Sequence, residues 1–579
     1  MRAFGDDRRN GARISISMAT INPVTFRRLW RLVKPFLFSS EVKWQARGLL
    51  LLLAFFALSI AGINVGLSYI ARDFMTAFSL KEEDEFFRML GFYLAAFAAA
   101  TPVTVFYSYT EQRLALLYRS WLSREILKKY FSDLAFYRIG AYEGIDNPDQ
   151  RIEEDIRSFT QTSLSFFLIM CNALLTLVLF VNILWSISFN LIMAVVAYAF
   201  LGSVITYLIG KPLIALNFEQ LKKEADYRYK LVNVRDHAES IAFYRGSKKE
   251  LTRARQRLKK ALDNIKKIIN LNRNLGFFIT FYNNLKPVLP IVIVSPLYLS
   301  GKIQFGEVTQ SADAFVRVVE ALSILIQHFA TISAITAVVT RLGSFTEALE
   351  EAGRGAREQG SLIKIEEGDK IAFDHVTIIT PKRDQLLVRD LTWELTSGGM
   401  LITGGSGNGK SSILRVLAGL WNAGEGKIIR PRLERTVFLP QRPYLVLGSL
   451  RNQLVYALPH QALADRELEG VLERVGLMTM LERVKGLGAV CDWGSILSAG
   501  EQQQLAFARL LLAKPEYVFL DEATTAVDIK TEAALYAAVQ ASVKAFISVG
   551  YRGSIAQYHH VILELEDDMT WRLLPSEQS

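Results

Sequence analysis

The chain has 579 residues, of which 51% are hydrophobic, and it carries a formal charge of +10. This length allows roughly two to four domains. Its two cysteines, Cys171 and Cys491, are expected in a membrane helix and in a cytoplasmic domain, which excludes a disulfide framework. The excess Lys and Arg residues flank apolar segments, so they indicate membrane topology, and no nucleic-acid partner is expected.

Long uncharged segments predict a polytopic α-helical membrane domain in the first part of the chain. Residues 48–71 contain no charge, which is enough to cross a hydrocarbon core about 30 Å thick. Residues 160–210 are also uncharged throughout, and a polar break at 186–190 divides them into a helical hairpin. We therefore predict six membrane helices, over 48–71, 89–110, the two halves of 160–210, 275–299 and 318–340.

The distribution of Lys and Arg predicts the orientation of these helices. The first 34 residues carry a cluster of arginines, and residues 211–274 hold 17 Lys and Arg against 7 Asp and Glu. Because positive loops stay in the cytoplasm, both regions are expected inside. The acidic loop "KEEDE" at 81–85 is expected outside. Six crossings then leave both termini in the cytoplasm.

The rest of the chain reads as a soluble α/β domain. Four regions are predicted: a disordered tail over 1–25, a membrane domain over 26–342, a charged linker over 343–370 and a nucleotide-binding domain over 371–579. In the last region a short apolar strand runs into "GGSGNGKSS" at 404–412, and a helix follows. This strand–loop–helix context identifies a phosphate-binding Walker A loop.

The chemistry of that loop assigns roles to its residues. Glycines let backbone N–H groups approach phosphates closely, and the following helix presents its positive end. Lys410 is expected on the β- and γ-phosphates, and the Ser411 hydroxyl on Mg²⁺. The predicted nucleotide-binding residues of the loop are Gly404, Ser406, Gly407, Gly409, Lys410, Ser411 and Ser412.

A second acidic motif follows 111 residues after Lys410. The apolar strand in "EYVFLDEATTAVD" at 516–528 delivers Asp521 to its end, where it is suited to Mg²⁺. Glu522 follows directly and is predicted to polarise the attacking water as general base. ATP and Mg²⁺ are therefore the expected cofactors.

The segment "LSAGEQQQLAFARLLLAKP" at 497–515 resembles the signature motif of ABC-transporter ATPases. In that family the signature Ser and Gly close over the γ-phosphate of the partner subunit, so the resemblance assigns Ser498 and Gly500 to a site completed in trans. It also implies that Gln441, in "FLPQRPYL", is a Mg²⁺ ligand and sensor, and that Asp528 belongs to the D-loop. One such domain per chain implies a homodimer.

Two cytoplasmic stretches narrow the resemblance further. "YEGIDNPDQRIEEDI" at 142–156 and "HAESIAFYRGSKKE" at 237–250 resemble motifs of the peroxisomal and lysosomal ABCD half-transporters and their bacterial SbmA/BacA relatives. The N-terminal pattern is similar to the bacterial branch, which implies a bacterial inner membrane. The resemblance favours import of bulky hydrophilic solutes such as cobalamin, glycopeptides or peptides. Transport of acyl-CoA or lipid stays open, as does a proton-driven transporter with a regulatory nucleotide domain.

A candidate solute cavity is predicted from polar residues inside apolar segments. Charges at membrane depth are costly and usually face a water-filled cavity or a partner. For Glu320 the alternative is that its side chain extends to the membrane interface, and for His328 it is a packing contact between helices. The candidates are Asn283, Asn284, Lys286, Glu320 and His328.

Two positions depart from the family pattern. Ile379 and Thr380 stand where many ABC ATPases carry an aromatic that stacks on adenine, with Phe373 as an alternative. Tyr551 stands in "SVGYR", where family members carry a switch histidine, and is assigned to catalysis by its position. His559 and His560 lie eight and nine residues further on and are poor substitutes.

Overall fold

A computed structural model describes residues 23–139, 147–355, 363–381, 385–456, 458, 463–550 and 553–576. The chain divides into two compact units. The first combines Met1–Phe131 with Gly144–Glu350, and the second combines Ser132–Glu143 with Glu351–Ser579. Each unit is described by itself.

The first unit is entirely helical in its described part. Its helices are α1 (Pro23–Phe38), α2 (Lys43–Leu80), α3 (Glu83–Phe131), α5 (Pro148–Gln150), α6 (Ile156–Ile187), α7 (Phe189–Asp236), α8 (Ala238–Phe243), α9 (Ser247–Leu285), α10 (Val288–Leu299), α11 (Phe305–Gln327) and α12 (Phe329–Gly355). A short helix α4 (Ala135–Arg138) belongs to the second unit, and a π-helical turn (Arg151–Asp155) precedes α6.

Five helical segments of the described residues are long and apolar enough to cross a membrane. They are Lys43–Leu80, Glu83–Arg138, Pro148–Ile187, Phe189–Asp236 and Ser247–Leu299. The predicted hairpin is confirmed, because α6 ends at Ile187, Ser188 is extended and α7 begins at Phe189. The sixth predicted span, over 318–340, falls across the break between α11 and α12 and stays a prediction.

An ion pair ties the π-helical turn to the end of the helical unit. The Asp155 carboxylate is 3% exposed and accepts two hydrogen bonds from Arg341, at 2.8 and 2.6 Å. Arg151 donates to the carbonyl of Arg341 at 3.1 Å. The turn lies in the stretch that resembles the ABCD motif, and these bonds hold it against α12.

The second unit contains two sheets. The four-stranded sheet has the order β1 (Ile363–Glu367), β5 (Gly424–Arg430), β2 (Ile371–Ile379), β3 (Leu386–Leu395), and the six-stranded sheet has the order β10 (Trp571–Pro575), β9 (Val561–Leu565), β4 (Gly398–Gly404), β8 (Ala545–Val549), β7 (Tyr517–Asp521), β6 (Thr436–Leu439). Residues 363–367 were predicted as linker. They form β1 instead, because Ile363 is buried and the strand pairs in parallel with β5.

Helices cover the six-stranded sheet and build its core. They are α13 (Lys410–Leu417), α14 (Leu450–Val455), α15 (Asp465–Arg474), α16 (Met478–Arg483), α17 (Trp493–Ile496), α18 (Ala499–Ala513) and α19 (Ile529–Ser542), with 3₁₀ turns at Leu433–Arg435 and Gly553–Tyr558. The strands β9, β4, β8, β7 and β6 are parallel. The loops after their carboxyl ends therefore meet at one edge, where ligands of open α/β sheets bind.

Candidate functional site

The Walker A loop follows β4 and leads into α13. Gly404, Gly407 and Gly409 adopt positive φ values of 136°, 93° and 87°. Residues that carry a side chain rarely adopt these φ angles, so the loop depends on glycine for its shape. Ser406 and Gly407 are exposed at the tip, while Ser412 is buried in the first turn of α13.

Lys410 is buried at the base of this loop. The residue is only 5% exposed, and its ammonium donates to the carbonyls of Gly404 and Gly405 at 2.9 and 2.6 Å. These bonds satisfy the charge within the loop that the phosphates are expected to occupy. A second side chain, Asn408, fixes the loop to the end of β9 and to the turn that follows it. Its amide donates to Leu565 O and Asp567 Oδ1.

The predicted magnesium ligands lie together. The Ser411 hydroxyl donates to Asp521 Oδ1 at 2.8 Å, although the two residues are 110 positions apart. Gln441 lies two residues after the end of β6, which is the neighbour of β7 in the sheet. Its side chain contacts Glu522, the residue after Asp521. Hydroxyl, carboxylate and amide oxygens suit Mg²⁺, which usually takes one or two carboxylates and completes its shell with phosphates and water. The donor set of Ser411, Asp521 and Gln441 therefore fits this ion.

Glu522 lies at the carboxyl end of β7 in an unusual backbone conformation. Its φ of 48° is in the left-handed region, which costs a non-glycine residue on the order of 1–3 kcal/mol. Its side chain accepts a hydrogen bond from Gln441 Nε2 at 2.7 Å. The carboxylate therefore lies beside Gln441, at the same edge of the parallel strands as the Walker A loop.

A residue absent from the sequence-based prediction braces the loop after β7, which carries Glu522. Gln503, on the signature helix α18, is 4% exposed and donates to Thr525 Oγ1 at 3.2 Å. Its side-chain oxygen Oε1 accepts a hydrogen bond from Ala526 N at 2.9 Å. The signature helix and the loop after Glu522 are therefore held as one piece. The repeated glutamines of "GEQQQL" are the sequence signal that pointed here.

The signature residues stand at the start of α18. Ser498 caps the helix, since its hydroxyl accepts from Glu501 N at 3.2 Å while the Glu501 carboxylate accepts from Ser498 N at 2.9 Å. Burial alone would raise the pKa of Glu501, but hydrogen bonds from Arg483 and Ser498 outweigh it and lower that pKa. A charged carboxylate thus holds the cap.

Gly500 and Asp528 lie next to this cap. A Cβ on Gly500 would approach the carbonyl oxygen of Ala526 to 2.9 Å, so the helix packs against the D-loop only with glycine there. Asp528 caps α19 by accepting from Thr531 N and Thr531 Oγ1, and these hydrogen bonds lower its pKa. The structure thus brings the signature and D-loop residues together on one surface.

The two positions that depart from the family pattern have different outcomes. Phe373 is 1% exposed and stacks on Trp393 in the core at 4.8 Å, so it is not placed to stack on a base. Ile379 is the last residue of β2, Thr380 follows it, and both are half-buried. Tyr551 lies outside the described residues, and its catalytic role stays a prediction.

The candidate cavity residues are only partly brought together. Lys286 is 9% exposed, and its ammonium lies 3.9 Å from Glu320 Oε1. Asn283 and Asn284 are exposed one turn earlier on α9. His328 stands at the break between α11 and α12, with its ring 6.3 Å from that of Phe166.

Family models match both parts of the chain. Residues 33–299 match the model described as ABC transporter transmembrane region 2, and residues 388–525 match the model described as ABC transporter. The two matches correspond to the helical unit and to the unit that carries the Walker A loop. A membrane region and an ATPase are therefore fused in one chain.

Whole-length relatives support the same assignment. An uncharacterized ABC transporter ATP-binding protein of Synechocystis sp. is 40% identical over 544 residues, covering 92% of this chain and 82% of that protein. The chloroplastic ABC transporter D family member 2 of Arabidopsis thaliana is 37% identical over 623 residues, covering 95% and 88%. The lysosomal cobalamin transporter ABCD4 of Homo sapiens is 31% identical over 498 residues, covering 79% and 82%.

ATP hydrolysis coupled to transport follows from the ATPase match and from these relatives. Bound ATP with Mg²⁺ supplies the γ-phosphate that is cleaved. The strand edge, the Walker A loop and the acidic loop present the groups that such a reaction needs. This chain belongs to the ABC transporter family, among the D-type half-transporters that join one membrane domain to one ATPase domain.

Proposed function

We propose that this protein is a homodimeric, ATP-driven importer of bulky hydrophilic solutes in a bacterial inner membrane, with both termini in the cytoplasm. The observation that carries the proposal is a polar cavity of about 480 Å³ between α3 and α6. It is lined by Ser108, Glu111, Gln112, Ala115, Leu116, Arg119, Arg157, Thr160, Gln161 and Ser165.

Most side chains that line this cavity are polar, and Ala115 and Leu116 are its apolar members. Glu111 accepts a hydrogen bond from Ser165 at 2.5 Å. Further along, Arg119 and Arg157 share one carboxylate, Glu153, at 3.4 and 3.9 Å. Polar groups beside a membrane-spanning segment are costly unless they face water or a polar ligand. The cavity therefore favours a hydrophilic solute over a hydrocarbon chain.

The spacing of these residues explains how the cavity forms. Arg157, Gln161 and Ser165 recur every four positions on α6, and Ser108 and Gln112 do so on α3. Residues four apart lie on the same face of a helix. This polar stripe was readable in the sequence, but its partner helix was not. The five residues predicted to form a cavity do not line it.

A cavity of this size accommodates part of a bulky solute. Ligand pockets usually enclose roughly 300–1,000 Å³. In the proposed homodimer each protomer carries one such cavity. The relative named a lysosomal cobalamin transporter supports a large hydrophilic cargo for the D-type chains.

An acyl-CoA or lipid cargo is the second candidate, and a different cavity favours it. A space of about 580 Å³ between α2 and α3 is lined by Leu49, Leu116 and Leu117 beside Arg113. Apolar side chains next to a guanidinium suit an amphipathic molecule with an anionic head group. The two cavities share Leu116, so their contributions are separable only by variants placed outside that residue.

Transport by the purified protein in liposomes tests the cargo. The uptake of cobalamin, a hydrophilic peptide and an acyl-CoA is measured with ATP, with a pH gradient and with both. We expect ATP-dependent uptake of a hydrophilic solute. Gln161→Leu is expected to reduce it, while the matched change Leu49→Gln in the second cavity leaves it unchanged. The reverse pattern supports the acyl-CoA candidate, and uptake driven by the pH gradient alone overturns ATP drive.

Mixing two inactive variants tests the homodimer. If one site combines the Walker A loop of one protomer with the signature of its partner, Lys410→Ala and Ser498→Arg dimers are both inactive. Co-assembly of the two variants then leaves one intact site and restores ATPase activity. Restoration by mixing supports a homodimer whose protomers share each site, failure of the two variants to co-assemble contradicts the homodimer, and no restoration in verified mixed dimers contradicts the shared site.

A further inference from the structure

A buried chain of polar side chains lies behind the catalytic loop of the ATPase unit. Its members are 4% exposed or less, which is unusual for hydroxyl, carboxyl and imidazole groups. None of them belongs to the nucleotide-binding set described above. They are Thr524, Glu532, Tyr536, Ser548 and His559.

These polar side chains form a continuous series from the loop after β7 to the turn before β9. The Thr524 hydroxyl donates to Glu532 Oε2 at 2.9 Å. The Tyr536 hydroxyl lies within hydrogen-bonding reach of Thr524 and of Ser548. Ser548 Oγ in turn lies 2.8 Å from His559 Nε2. Four places in the fold are thereby joined: the loop after β7, α19, β8 and the residue that follows the Gly553–Tyr558 turn.

The hydrogen bonds of His559 determine its protonation. Its Nδ1 lies 2.7 Å from the carbonyl oxygen of Ile555, which can only accept, so Nδ1 carries the hydrogen. Nε2 therefore accepts from the Ser548 hydroxyl when the ring is neutral. Burial lowers the pKa of His559 to about 4, which keeps the ring neutral at physiological pH. Both ring nitrogens are thus committed within the fold.

Two members of this series, Thr524 and Ser548, lie close to Glu522. Thr524 stands two residues after Glu522, and Val549, next to Ser548, accepts a hydrogen bond from Glu522 N at 3.0 Å. The backbone of Glu522 is in the left-handed region and is therefore held there by its surroundings. His559 anchors Ser548 on one side, and Glu532 anchors Thr524 on the other.

We propose that His559 is a positioning residue for ATP hydrolysis, which acts through Ser548 to hold the backbone of Glu522 in its hydrolytic conformation. His559 does not touch nucleotide in this arrangement. Phosphate binding by Lys410 and the Walker A backbone does not depend on it. Losing the Ser548 bond consequently lowers the rate of hydrolysis and leaves ATP affinity unchanged.

Two variants of the histidine separate its two bonds. The amide of His559→Asn reaches the place of Nδ1 and loses the Ser548 bond, whereas that of His559→Gln reaches the place of Nε2 and keeps an acceptor for Ser548. We expect kcat of the full-length protein to fall about 10-fold or more for Asn, since small displacements of catalytic groups have effects of this size. Rescue to within about 3-fold is expected for Gln. ATP affinity, measured without Mg²⁺, is expected to stay within 2-fold for both.

The neighbouring histidine provides the matched control. His560 accepts from Gly399 N at 3.2 Å, whereas the Ser548 hydroxyl bonds His559, so His560→Asn is expected to keep kcat within about 2-fold. Ser548→Ala removes only the hydroxyl and is expected to reproduce the Asn phenotype. It decides the matter if His559→Asn does not fold.

Three results overturn the proposal. The first is an unchanged kcat in His559→Asn or, where that variant does not fold, in Ser548→Ala. The second is an equal loss in the Asn and Gln variants, which means that the Ser548 bond is irrelevant. The third is a parallel loss of kcat and ATP affinity, which indicates a general role in the core.

Discussion

The side-chain amide of Gln441 donates a hydrogen bond to the Glu522 carboxylate, with 2.7 Å between Nε2 and Oε2. The two residues are 81 positions apart and meet because β6 and β7 are parallel neighbours. The residue expected to sense the membrane domain is therefore in direct contact with the proposed general base. A displacement of Gln441 is therefore expected to act on Glu522 directly.

The substitution Glu522→Gln is expected to abolish ATP turnover while ATP still binds. The amide cannot accept a proton from water, and positioned acid–base groups contribute roughly 10²–10⁴-fold to a rate. Phosphate binding is expected to belong to Lys410 and the loop backbone, which the change does not touch. Steady-state ATPase rates and nucleotide binding check this. A variant that turns over ATP at nearly the wild-type rate would remove Glu522 from the role of base.

Restoring a histidine by Tyr551→His is expected to raise the ATPase rate by about 10-fold or more. By the family pattern, a switch histidine is expected to bond the γ-phosphate and hold the attacking water, whereas a phenol, with an ordinary pKa of about 10, stays neutral. ATP affinity should change little. Single-turnover hydrolysis separates the two quantities, and an unchanged or lower rate shows that the enzyme works with tyrosine.

Base selectivity is expected to be loose, so GTP should compete measurably with ATP. Phe373 is buried against Trp393 and not placed to stack on adenine, and Thr380 offers no ring. Stacking on an aromatic is worth about 1–3 kcal/mol per base in nucleic-acid binding. Introducing Thr380→Tyr should therefore tighten ATP binding about 5-fold or more. Strict ATP selectivity of the unmodified protein in a competition assay contradicts this.

The signature helix tests the contact between Gly500 and the D-loop. Gly500→Ala places a Cβ 2.9 Å from the carbonyl oxygen of Ala526, so the helix start or the D-loop must shift. We expect ATPase activity to fall about 10-fold or more, with nucleotide binding to the separate protomer retained. Gly470→Ala on α15 is the matched control, because its Cβ meets nothing within 4 Å. Equal activity of the two variants contradicts the packing argument.

The stability of the ATPase unit is expected to fall as the pH drops from about 6.5 to 4. Burial lowers the pKa of His559 to about 4 in the folded state, whereas the unfolded chain binds the proton near 6.5. The unfolded state binds more protons in this window, so stability rises with pH across it and is complete above 6.5. The neighbouring His560 opposes protonation as well. The contribution is on the order of 3 kcal/mol.

Thermal melting between pH 4 and 8 measures this effect. His559→Asn removes the titrating group, so the variant should lose less stability than the unmodified protein between pH 6.5 and 4. His560→Asn keeps the buried group and removes only the smallest of the effects that lower its pKa, so it should keep most of the unmodified slope. Identical pH slopes for His559→Asn and the unmodified protein would exclude His559 as the source.

The sequence by itself determined the features whose residues are contiguous. Gly404 to Ser412 form one strand–loop–helix unit, and the uncharged runs identify membrane segments because hydrocarbon excludes charge. The motifs assigned Ser411, Asp521 and Glu522 one by one and the resemblance assigned Gln441, but the contacts Ser411–Asp521 and Gln441–Glu522 could not be read from the sequence, since 110 and 81 residues separate their members. Parallel pairing of β4, β8, β7 and β6 places them at one edge.

Other features were decided by tertiary structure alone. The polar stripe on α6 becomes a cavity only because α3 carries a matching stripe and packs beside it. Lipid-facing and protein-facing sides of a membrane helix are both apolar, so composition does not tell which side is covered. His559 looks like a surface residue in the sequence. Burial and the Ser548 hydroxyl turn it into an anchor, because a polar group removed from water must find its partners within the fold.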